Sequence, residues 1–132
     1  MKLLADTGAL LAVVLKNDQH HRDALRFVRA QPNARFVLSS LILSEVITRI
    51  RARADAPRAV ETGRKFLESR RYSVVFVDAP LTLGGLHRLE QFADKRLSLT
   101  DCVSFELIDR LGLQGAFTFD RDFRDCGYRM VP

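Results

Sequence analysis

Cysteine is scarce in this chain of 132 residues, and tryptophan is absent. The two cysteines, Cys102 and Cys126, form no Cys-x-x-Cys pair and have no spacing typical of a zinc site or a disulfide framework. We therefore expect two reduced thiols of the kind that packs into a core, in a cytoplasmic protein. The scarcity of cysteine excludes a small domain held together by disulfides.

Long hydrophobic runs are also missing, so no segment is predicted to span a membrane as a helix. The apolar stretch from Leu3 to Leu15 is interrupted by Asp6 and Gly8, and no convincing signal-peptide cleavage site follows it. The chain has no internal repeat, no low-complexity tract and no linker rich in Pro, Gly or Ser. Its length therefore predicts one domain that covers residues 1–132.

The chain does have many charged side chains, with a net charge of +5, and it is 47% hydrophobic. This hydrophobic content argues against disorder. The basic balance favours polyanionic partners, because Lys and Arg displace the counterions condensed on a phosphate backbone. Since many basic proteins bind no nucleic acid, the charge alone does not decide between RNA and an acidic protein partner.

Short apolar runs alternate with helical patterns along the whole chain. The predicted strands are Lys2–Ala5, Arg35–Leu38, Tyr72–Val77, Ala116–Phe119 and Tyr128–Val131. The predicted helices are Ala9–Leu15, His20–Ala30, Leu41–Ala54, Pro57–Arg70, Asp78–Ala93, Ser98–Leu111 and the short Asp120–Cys126 turn. Strands that are apolar on both faces and separated by helices predict an α/β sandwich with a mainly parallel sheet covered by helices.

Four carboxylates are placed near strand ends or helix starts by this assignment. Asp6 and Asp120 directly follow predicted strands, and Glu45 and Asp101 lie in the first turns of predicted helices. In an open parallel sheet, ligands bind beyond the carboxyl ends of the strands, and all four acids could reach that edge. Converging carboxylates repel one another unless a cation compensates them. Oxygen ligands without Cys or His favour Mg²⁺ or Mn²⁺, so the pattern predicts metal-assisted hydrolysis of a phosphate ester.

Each acid also has a purely structural interpretation, which the sequence leaves open. Asp6 could cap the following helix, and Asp120 could cap the short helix after it. Glu45 could be neutralised by Arg49 four residues later. The Ser98–Asp101 segment (SLTD) resembles a capping box.

Four segments together resemble the acidic motifs of PIN domains, in particular those of the VapC-type toxins of toxin–antitoxin pairs. They are Leu4–Leu10 (LADTGAL), Leu43–Val46 (LSEV), Leu99–Cys102 (LTDC) and Phe117–Phe123 (FTFDRDF). The ending Gly127–Pro132 (GYRMVP) resembles the last strand of that group. Each motif is weak alone, but the four in order cover essentially the whole chain, and no acidic position of the set is missing.

The resemblance implies a five-stranded parallel sheet with strand order 3-2-1-4-5 and a ribonuclease that depends on Mg²⁺ or Mn²⁺. It implies that Asp6, Glu45, Asp101 and Asp120 hold the metal, and that the chain forms a homodimer silenced by a cognate antitoxin. The hydroxyls of two neighbouring threonines are expected to orient ligands or water, and Thr100 either does the same or caps its helix. Asp122 is either a fifth ligand or an exposed helix acid, and we favour the peripheral role. These supporting residues are Thr7, Thr100, Thr118 and Asp122.

Basic residues are clustered on the third and fourth predicted helices. Arg49, Arg51 and Arg53 are candidates for RNA contact, and Arg49 is the best placed because it lies one turn after Glu45. A second cluster extends from Arg64 to Arg71. A solvated helix face is the simpler interpretation of both clusters, and an RNA path or a surface for an acidic partner is the functional one.

Other catalytic classes lack their residues. No histidine lies next to an acidic motif, and His20 and His21, which begin a predicted helix, are expected at the surface. A receiver-like phosphoacceptor domain would need paired acids after the first strand, and a haloacid-dehalogenase-type phosphatase would need an acid where Gly8 stands. The remaining alternative is an interaction module of this fold that binds a partner with little turnover.

Overall fold

Five short strands and seven helices alternate in the computed structural model, which describes residues 1–132. The strands are β1 (Lys2–Ala5), β2 (Arg35–Ser39), β3 (Tyr72–Val75), β4 (Ala116–Phe117) and β5 (Met130–Val131). The helices are α1 (Thr7–Val14), α2 (His21–Ala30), α3 (Ser40–Arg53), α4 (Ala56–Glu68), α5 (Ala79–Gln91), α6 (Leu99–Leu111) and α7 (Arg121–Asp125).

The strands form one sheet with the order β3-β2-β1-β4-β5, and every pair is parallel. This confirms the α/β prediction and the strand order 3-2-1-4-5. β1 lies at the centre, where Leu3, Leu4 and Ala5 are fully buried. A central parallel strand is covered on both faces, which is why this segment is apolar without alternation.

The helices pack in two groups. α1 packs against both α2 and α3, and α3 packs against α4, whereas α5 packs against α6. The crossovers from β1 through β2 to β3 run in one direction along the sheet, and the crossover from β3 to β4 returns past β1. Since such crossovers are right-handed, the two groups cover opposite faces and give three layers. None of the helices is long and apolar enough to cross a membrane.

Most helices begin at a side chain that accepts a hydrogen bond from the first turn, which explains the Asp and Ser residues before them. The carboxylate of Asp78 accepts from the backbone N–H of Leu81 at 2.9 Å, and that of Asp55 accepts from Arg58 at 2.8 Å. Asp6, Ser39 and Ser98 cap α1, α3 and α6 in the same way. Three of these caps lie at the carboxyl edge of the sheet, where helix starts and strand ends meet.

Three strands are shorter than the sequence predicts: β5 begins at Met130 rather than Tyr128, and β3 and β4 end early. β3 ends at Val75 rather than Val77, because the backbone N–H of Val77 turns to the Ser40 hydroxyl at 3.0 Å. β4 ends at Phe117 rather than Phe119. The first helix begins at Thr7 rather than Ala9, since Asp6 already serves as its cap. Beyond β4, the chain therefore leaves the sheet at Thr118, next to the end of β1.

Candidate active site

The four predicted carboxylates line one cleft at the carboxyl edge of the sheet. The cleft, here called the acidic cleft, has a volume of about 420 Å³. Asp6 follows β1, Asp120 follows β4, and Glu45 and Asp101 lie near the starts of α3 and α6. The fold thus brings together side chains from four separate segments, as the position of the strand ends predicted.

Asp6 lies at the centre of the acidic cleft and is partly buried. One carboxylate oxygen accepts a hydrogen bond from the backbone N–H of Ala9 at 2.8 Å, so the helix-capping interpretation is correct. The other oxygen accepts from the Thr118 hydroxyl at 2.5 Å. Burial raises the pKa of Asp6 to about 6, and Asp120 and Asp101 add to this rise, although the two hydrogen bonds oppose it. Asp6 therefore has both a structural role and an electrostatically strained position.

Glu45 is held from two sides by threonine hydroxyls. Thr7 donates to one carboxylate oxygen at 2.7 Å, and Thr100 donates to the other at 3.2 Å. No salt bridge joins Glu45 to Arg49, so neutralisation within the helix does not occur. The charge of Glu45 consequently has only neutral hydroxyl partners within the chain.

Asp101 has two roles at the same time. The Ser98 hydroxyl accepts from the Asp101 backbone N–H at 3.0 Å, and the Asp101 carboxylate accepts from the Ser98 N–H at 3.1 Å, which completes a capping box. Only one of its two carboxylate oxygens takes part in the box. Burial raises the pKa of Asp101, and Asp120 and Glu45 raise it further. The capping interpretation and the site interpretation are therefore compatible.

Thr118 connects Asp120 to Asp6 through two hydrogen bonds. Its buried hydroxyl donates to Asp6 and accepts from the backbone N–H of Asp120 at 3.0 Å. Asp120 is exposed, and its carboxylate caps α7 by accepting from the N–H of Asp122 at 2.9 Å. Asp122 itself does not line the acidic cleft. Partial burial, with help from Asp120, raises its pKa, which fits the peripheral position expected for it.

Only part of the predicted basic cluster faces the acidic cleft. Arg49 and Arg53 line it, one helical turn apart on α3, whereas Arg51 does not. Residues two apart on a helix project to nearly opposite sides, which explains the exclusion of Arg51. Neither Arg49 nor Arg53 forms a salt bridge within the chain. Both guanidinium groups therefore have their charge available to an anionic ligand.

Several lining residues were missed by the sequence reasoning, and three of them are important below. Asp18, His20 and Phe119 also line the acidic cleft. The rings of His20 and Phe119 are stacked, with centroids 4.2 Å apart and an angle of 3° between the planes. Phe119 precedes Asp120, which could have drawn attention to it, but no local pattern connects it with His20.

A larger cavity of about 770 Å³, here called the apolar groove, opens beside the acidic cleft between α1, α2, α3 and α4. Its lining includes apolar side chains such as Leu10 and Phe66, and basic ones such as Arg58. Asp18 and Arg53 belong to both cavities. Only the acidic cleft contains the four predicted carboxylates, and the larger groove contains none of them.

The donor atoms of the acidic cleft suit a hard divalent cation. The four acids and the threonines beside them offer carboxylate and hydroxyl oxygens, which Mg²⁺ and Mn²⁺ prefer over softer ligands. Burial is the main cause of the raised pKa of Asp6, and repulsion from Asp120 and Asp101, which such a cation would relieve, adds to the rise. As the side chains stand, no three Asp, Glu, His or Cys residues are close enough together to hold one ion. An ion held by one or two of the carboxylates would complete its shell with water, as Mg²⁺ commonly does.

Comparisons with known proteins agree with this fold. The family model described as PIN domain matches residues 3–127. The crystal structure of VapC20 from Mycobacterium tuberculosis, a sarcin–ricin loop cleaving toxin, is similar to the chain, with 26% identity, a TM-score of 0.89 and 98% coverage of both chains. No curated protein gives a significant match.

Two more distant structures share the fold. The first is VapBC2 from Rickettsia felis, solved with a DNA fragment of its promoter, at 15% identity and a TM-score of 0.69, with 99% of this chain and 98% of that chain covered. The second is a toxin–antitoxin complex from Klebsiella pneumoniae, at 14% identity and a TM-score of 0.70, with 98% and 96% covered.

Proposed function

Because the chain belongs to the PIN-domain family, we propose that it is a metal-dependent endoribonuclease whose active site is the acidic cleft. The observation that carries this proposal is the convergence of Asp6, Glu45, Asp101 and Asp120 in one cleft. Like charges brought together inside a fold are unfavourable unless an external cation or ligand compensates them. A function outside the chain's own stability is the simplest reason for building such a cluster. We take residues 1–132 as a single nuclease domain.

Asp6, Glu45, Asp101 and Asp120 would hold Mg²⁺ or Mn²⁺ in this proposal. A bound divalent ion supplies Lewis acidity and a water of lowered pKa for the hydrolysis of a phosphodiester.

The chain's own hydroxyl groups have a positioning role in the same proposal. Thr118 fixes Asp6, and Thr7 and Thr100 fix Glu45, through the hydrogen bonds described above. Such second-layer bonds set the direction in which a carboxylate presents its remaining lone pairs.

The substrate class follows from the charge around the acidic cleft. Arg49 and Arg53 lie on its α3 wall without acidic partners, and they are suited to bind the phosphates on either side of the scissile bond. The net charge of +5 favours the same partner. Since the similar VapC20 is described as cleaving the sarcin–ricin loop, RNA containing that loop is the first substrate to test.

We further propose that the chain is the toxin of a type II toxin–antitoxin pair located in the cytoplasm. The apolar groove provides a surface for the antitoxin, because its apolar floor is bordered by Arg53, Arg58 and Lys65. A segment that combines apolar and acidic side chains would fit this lining. The structures of toxin–antitoxin complexes with the same fold give independent support to a protein partner.

A homodimer is also part of the proposal. Three large apolar side chains are exposed near the edge formed by β3 and α5: Phe76 at 67%, Leu83 at 65% and Leu86 at 47%. An exposed apolar patch of this kind is typical of a protein–protein contact. Sedimentation of the purified chain at micromolar concentration should give twice the monomer mass of 15.0 kDa. A monomer under these conditions would contradict the dimer.

The second candidate is an interaction module with little turnover. The observation that favours it is that no three acidic side chains are close enough to surround one ion. In that case the acidic cleft would bind a partner's basic side chains rather than a metal. The two candidates differ in whether a divalent ion is needed for RNA cleavage.

The decisive experiment is cleavage of RNA by the purified chain with Mg²⁺, with Mn²⁺ and with EDTA. The substrates are an oligonucleotide carrying the sarcin–ricin loop and a pool of structured RNA. We expect cleavage that requires the metal and that disappears in Asp101→Asn. Asparagine at this position can still accept the Ser98 N–H, so the capping box is retained.

Asp125→Asn is the matched control, because Asp125 is an exposed acid of α7 that does not line the acidic cleft. It should cleave like the unchanged chain. Folded chain that cleaves no RNA with either metal would refute the proposed enzyme and leave the interaction module. Cleavage that persists in EDTA would refute the metal requirement instead.

A further inference from the structure

His20 lies on the wall of the acidic cleft and not on an unrelated surface. Its ring is stacked flat on that of Phe119, with centroids 4.2 Å apart. Phe119 stands in the chain between Thr118 and Asp120, so the stacked pair borders two residues of the carboxylate cluster. Contact over a whole ring face restricts rotation of the imidazole and fixes its plane. The position of His20 is therefore defined by the same loop that carries Asp120.

The ring nitrogens of His20 have no partner in the chain. Only its backbone is hydrogen-bonded: the N–H donates to the Asp18 carboxylate at 2.8 Å, and the carbonyl oxygen accepts from the Ala24 N–H at 2.9 Å. The neighbouring His21 differs, because its Nδ1 lies 2.7 Å from the Ala12 carbonyl oxygen and is hydrogen-bonded to it. No buried side-chain nitrogen or oxygen lacks a partner, so the His20 nitrogens are accessible. An imidazole that stabilises the fold would be expected to use a nitrogen as His21 does.

The sheet topology places this ring pair and the arginines on two sides of the central acid. β1, which carries Asp6 at its end, has β2 as one neighbour and β4 as the other. Arg49 and Arg53 lie on the helix that follows β2, whereas Phe119 follows β4. A strand of RNA crossing the acidic cleft over Asp6 would meet guanidinium groups on one side and the imidazole on the other.

We propose that His20 is a substrate-binding residue of the acidic cleft. Its ring nitrogens hydrogen-bond to the nucleotide beside the scissile phosphate, and Phe119 holds the ring in the required plane. A neutral imidazole offers one donor and one acceptor, which suits a base edge or a ribose hydroxyl of an unpaired nucleotide. This assignment rests on the proposed ribonuclease function and adds a residue to it. The arginines hold phosphate charge, and His20 recognises the nucleotide.

The test compares the unchanged chain with His20→Phe, His20→Ala and His87→Ala. Phenylalanine retains a flat ring against Phe119 and removes both nitrogens, whereas alanine removes the ring as well. His87 is exposed on α5 and does not line the acidic cleft, so it is the matched control. Initial rates over a range of RNA concentrations give kcat and KM. Fluorescence anisotropy gives the Kd of the same RNA when each substitution is combined with Asp101→Asn.

We expect His20→Phe and His20→Ala to raise KM and Kd by about 3- to 10-fold, the loss typical of one or two hydrogen bonds. The value of kcat and the melting temperature should change little, and His87→Ala should match the unchanged chain. Wild-type values of KM and Kd in His20→Phe would overturn the inference, even if His20→Ala were impaired. A loss confined to kcat, or to the melting temperature, would overturn it too.

Failure of the proposed function has a different signature in the same assay. If the unchanged chain cleaves RNA with metal and His20→Phe behaves in the same way, the role of His20 is refuted and the ribonuclease function stands. An unchanged chain that does not cleave removes the ribonuclease, and the role of His20 is removed with it.

Discussion

The molecule contains two clusters of partly buried charged side chains, and they are built in opposite ways. The acidic cleft gathers carboxylates that have only neutral hydroxyl and amide partners. The second cluster, here called the Arg88 network, joins α5, α6 and the chain after α7 with both signs of charge. Its members are Arg88, Glu106, Asp109, Arg110 and Tyr128.

Every charge of the Arg88 network is matched inside the chain. Arg88 donates to Glu106 at 3.1 Å and to the Tyr128 hydroxyl at 3.0 Å, and it also contacts Asp109. Arg110 donates to Glu106 at 2.9 Å. Burial acts to raise the pKa of Glu106, but the hydrogen bonds from Arg110 and Arg88 outweigh it and leave the pKa below its usual value.

The acidic cleft shows the reverse shift. Burial raises the pKa of Asp6 to about 6, and neighbouring carboxylates increase the rise rather than offset it. Arg49 and Arg53 line the same cleft but form no ion pair with the acids. Charge that is balanced within the chain stabilises the fold, and charge that is left unbalanced indicates an external ligand. The comparison yields four predictions.

The largest effect is expected for Glu45→Gln, which removes one charge from the acidic cleft and keeps the side-chain shape. RNA cleavage should fall about 10²- to 10³-fold, the range seen when one electrostatic contact of an active site is lost. The free energy of unfolding should stay the same or rise, because repulsion is reduced. Initial rates and urea unfolding measure the two quantities. A large loss of stability with cleavage retained would contradict the assignment of the acidic cleft to ligand binding and of the Arg88 network to stability.

Arg88→Ala should have the opposite effect, with a lower free energy of unfolding and little change in RNA cleavage. It leaves Glu106 with one partner and Asp109 without its arginine, and the free energy of unfolding should fall by roughly 1.5–3 kcal/mol, less than for a fully buried pair, because these side chains are only partly buried. Urea unfolding measures this loss. Arg110→Ala is the control, since its side chain is 45% exposed and should contribute under about 1 kcal/mol. Equal effects of the two substitutions would show that burial of the network has no energetic importance.

Acidification should affect the two clusters in opposite directions when EDTA is present. The folded pKa of Asp6 lies at about 6 and its unfolded value near 3.8, so the folded chain binds the extra proton between these values. As the pH falls from 7 to 4, Asp6 should add stability on the order of 2–3 kcal/mol. The folded pKa of Glu106 lies below 4.5, so its contribution is lost only at still lower pH.

Urea unfolding at a series of pH values measures this dependence. The rise between pH 7 and 4 should become much smaller in Asp6→Asn, because asparagine does not titrate and only the raised pKa values of Asp101 and Asp122 remain to contribute. The same rise in both chains would mean that Asp6 is not its source.

The smallest effect is expected for Thr118→Val, which keeps the volume of a buried side chain and removes its hydroxyl. Asp6 then loses a donor and the Asp120 N–H loses an acceptor. The metal concentration for half-maximal cleavage should rise about tenfold, as for the loss of a bond that orients a ligand. Thr48→Val, at an exposed position on α3, is the control. An unchanged metal requirement would show that Asp6 needs no support from Thr118.

The sequence predicted the acidic cleft because the position of its residues depends on local signals. A carboxylate that directly follows a buried strand, as at Asp6, is placed by the strand end alone. Asp101 is also placed by a local signal, because its capping box fixes the start of α6. The strand order came from the resemblance to PIN domains, and the structure confirms it.

The side chains that depend on distant partners were not predictable in this way. Arg71 belonged to a basic cluster in the sequence, yet its guanidinium donates to the carbonyl oxygens of Val28, Gln31 and Ala34 at 2.7–3.2 Å. Any residue supplies such a carbonyl, so the sequence carries no signal for these bonds. The Arg88 network was unpredictable for a related reason, because its members meet only when α5 packs on α6.

Asp18 and Arg53 line both the acidic cleft and the apolar groove, and this shared boundary has a thermodynamic consequence. A ligand in the groove that engages the Arg53 guanidinium withdraws it from a phosphate in the cleft, although the two ligands need not overlap. Linkage then requires antagonism that is equal in both directions. The factor by which a groove ligand weakens RNA binding is the factor by which RNA weakens the groove ligand. Through the shared wall, binding in one cavity would oppose binding in the other.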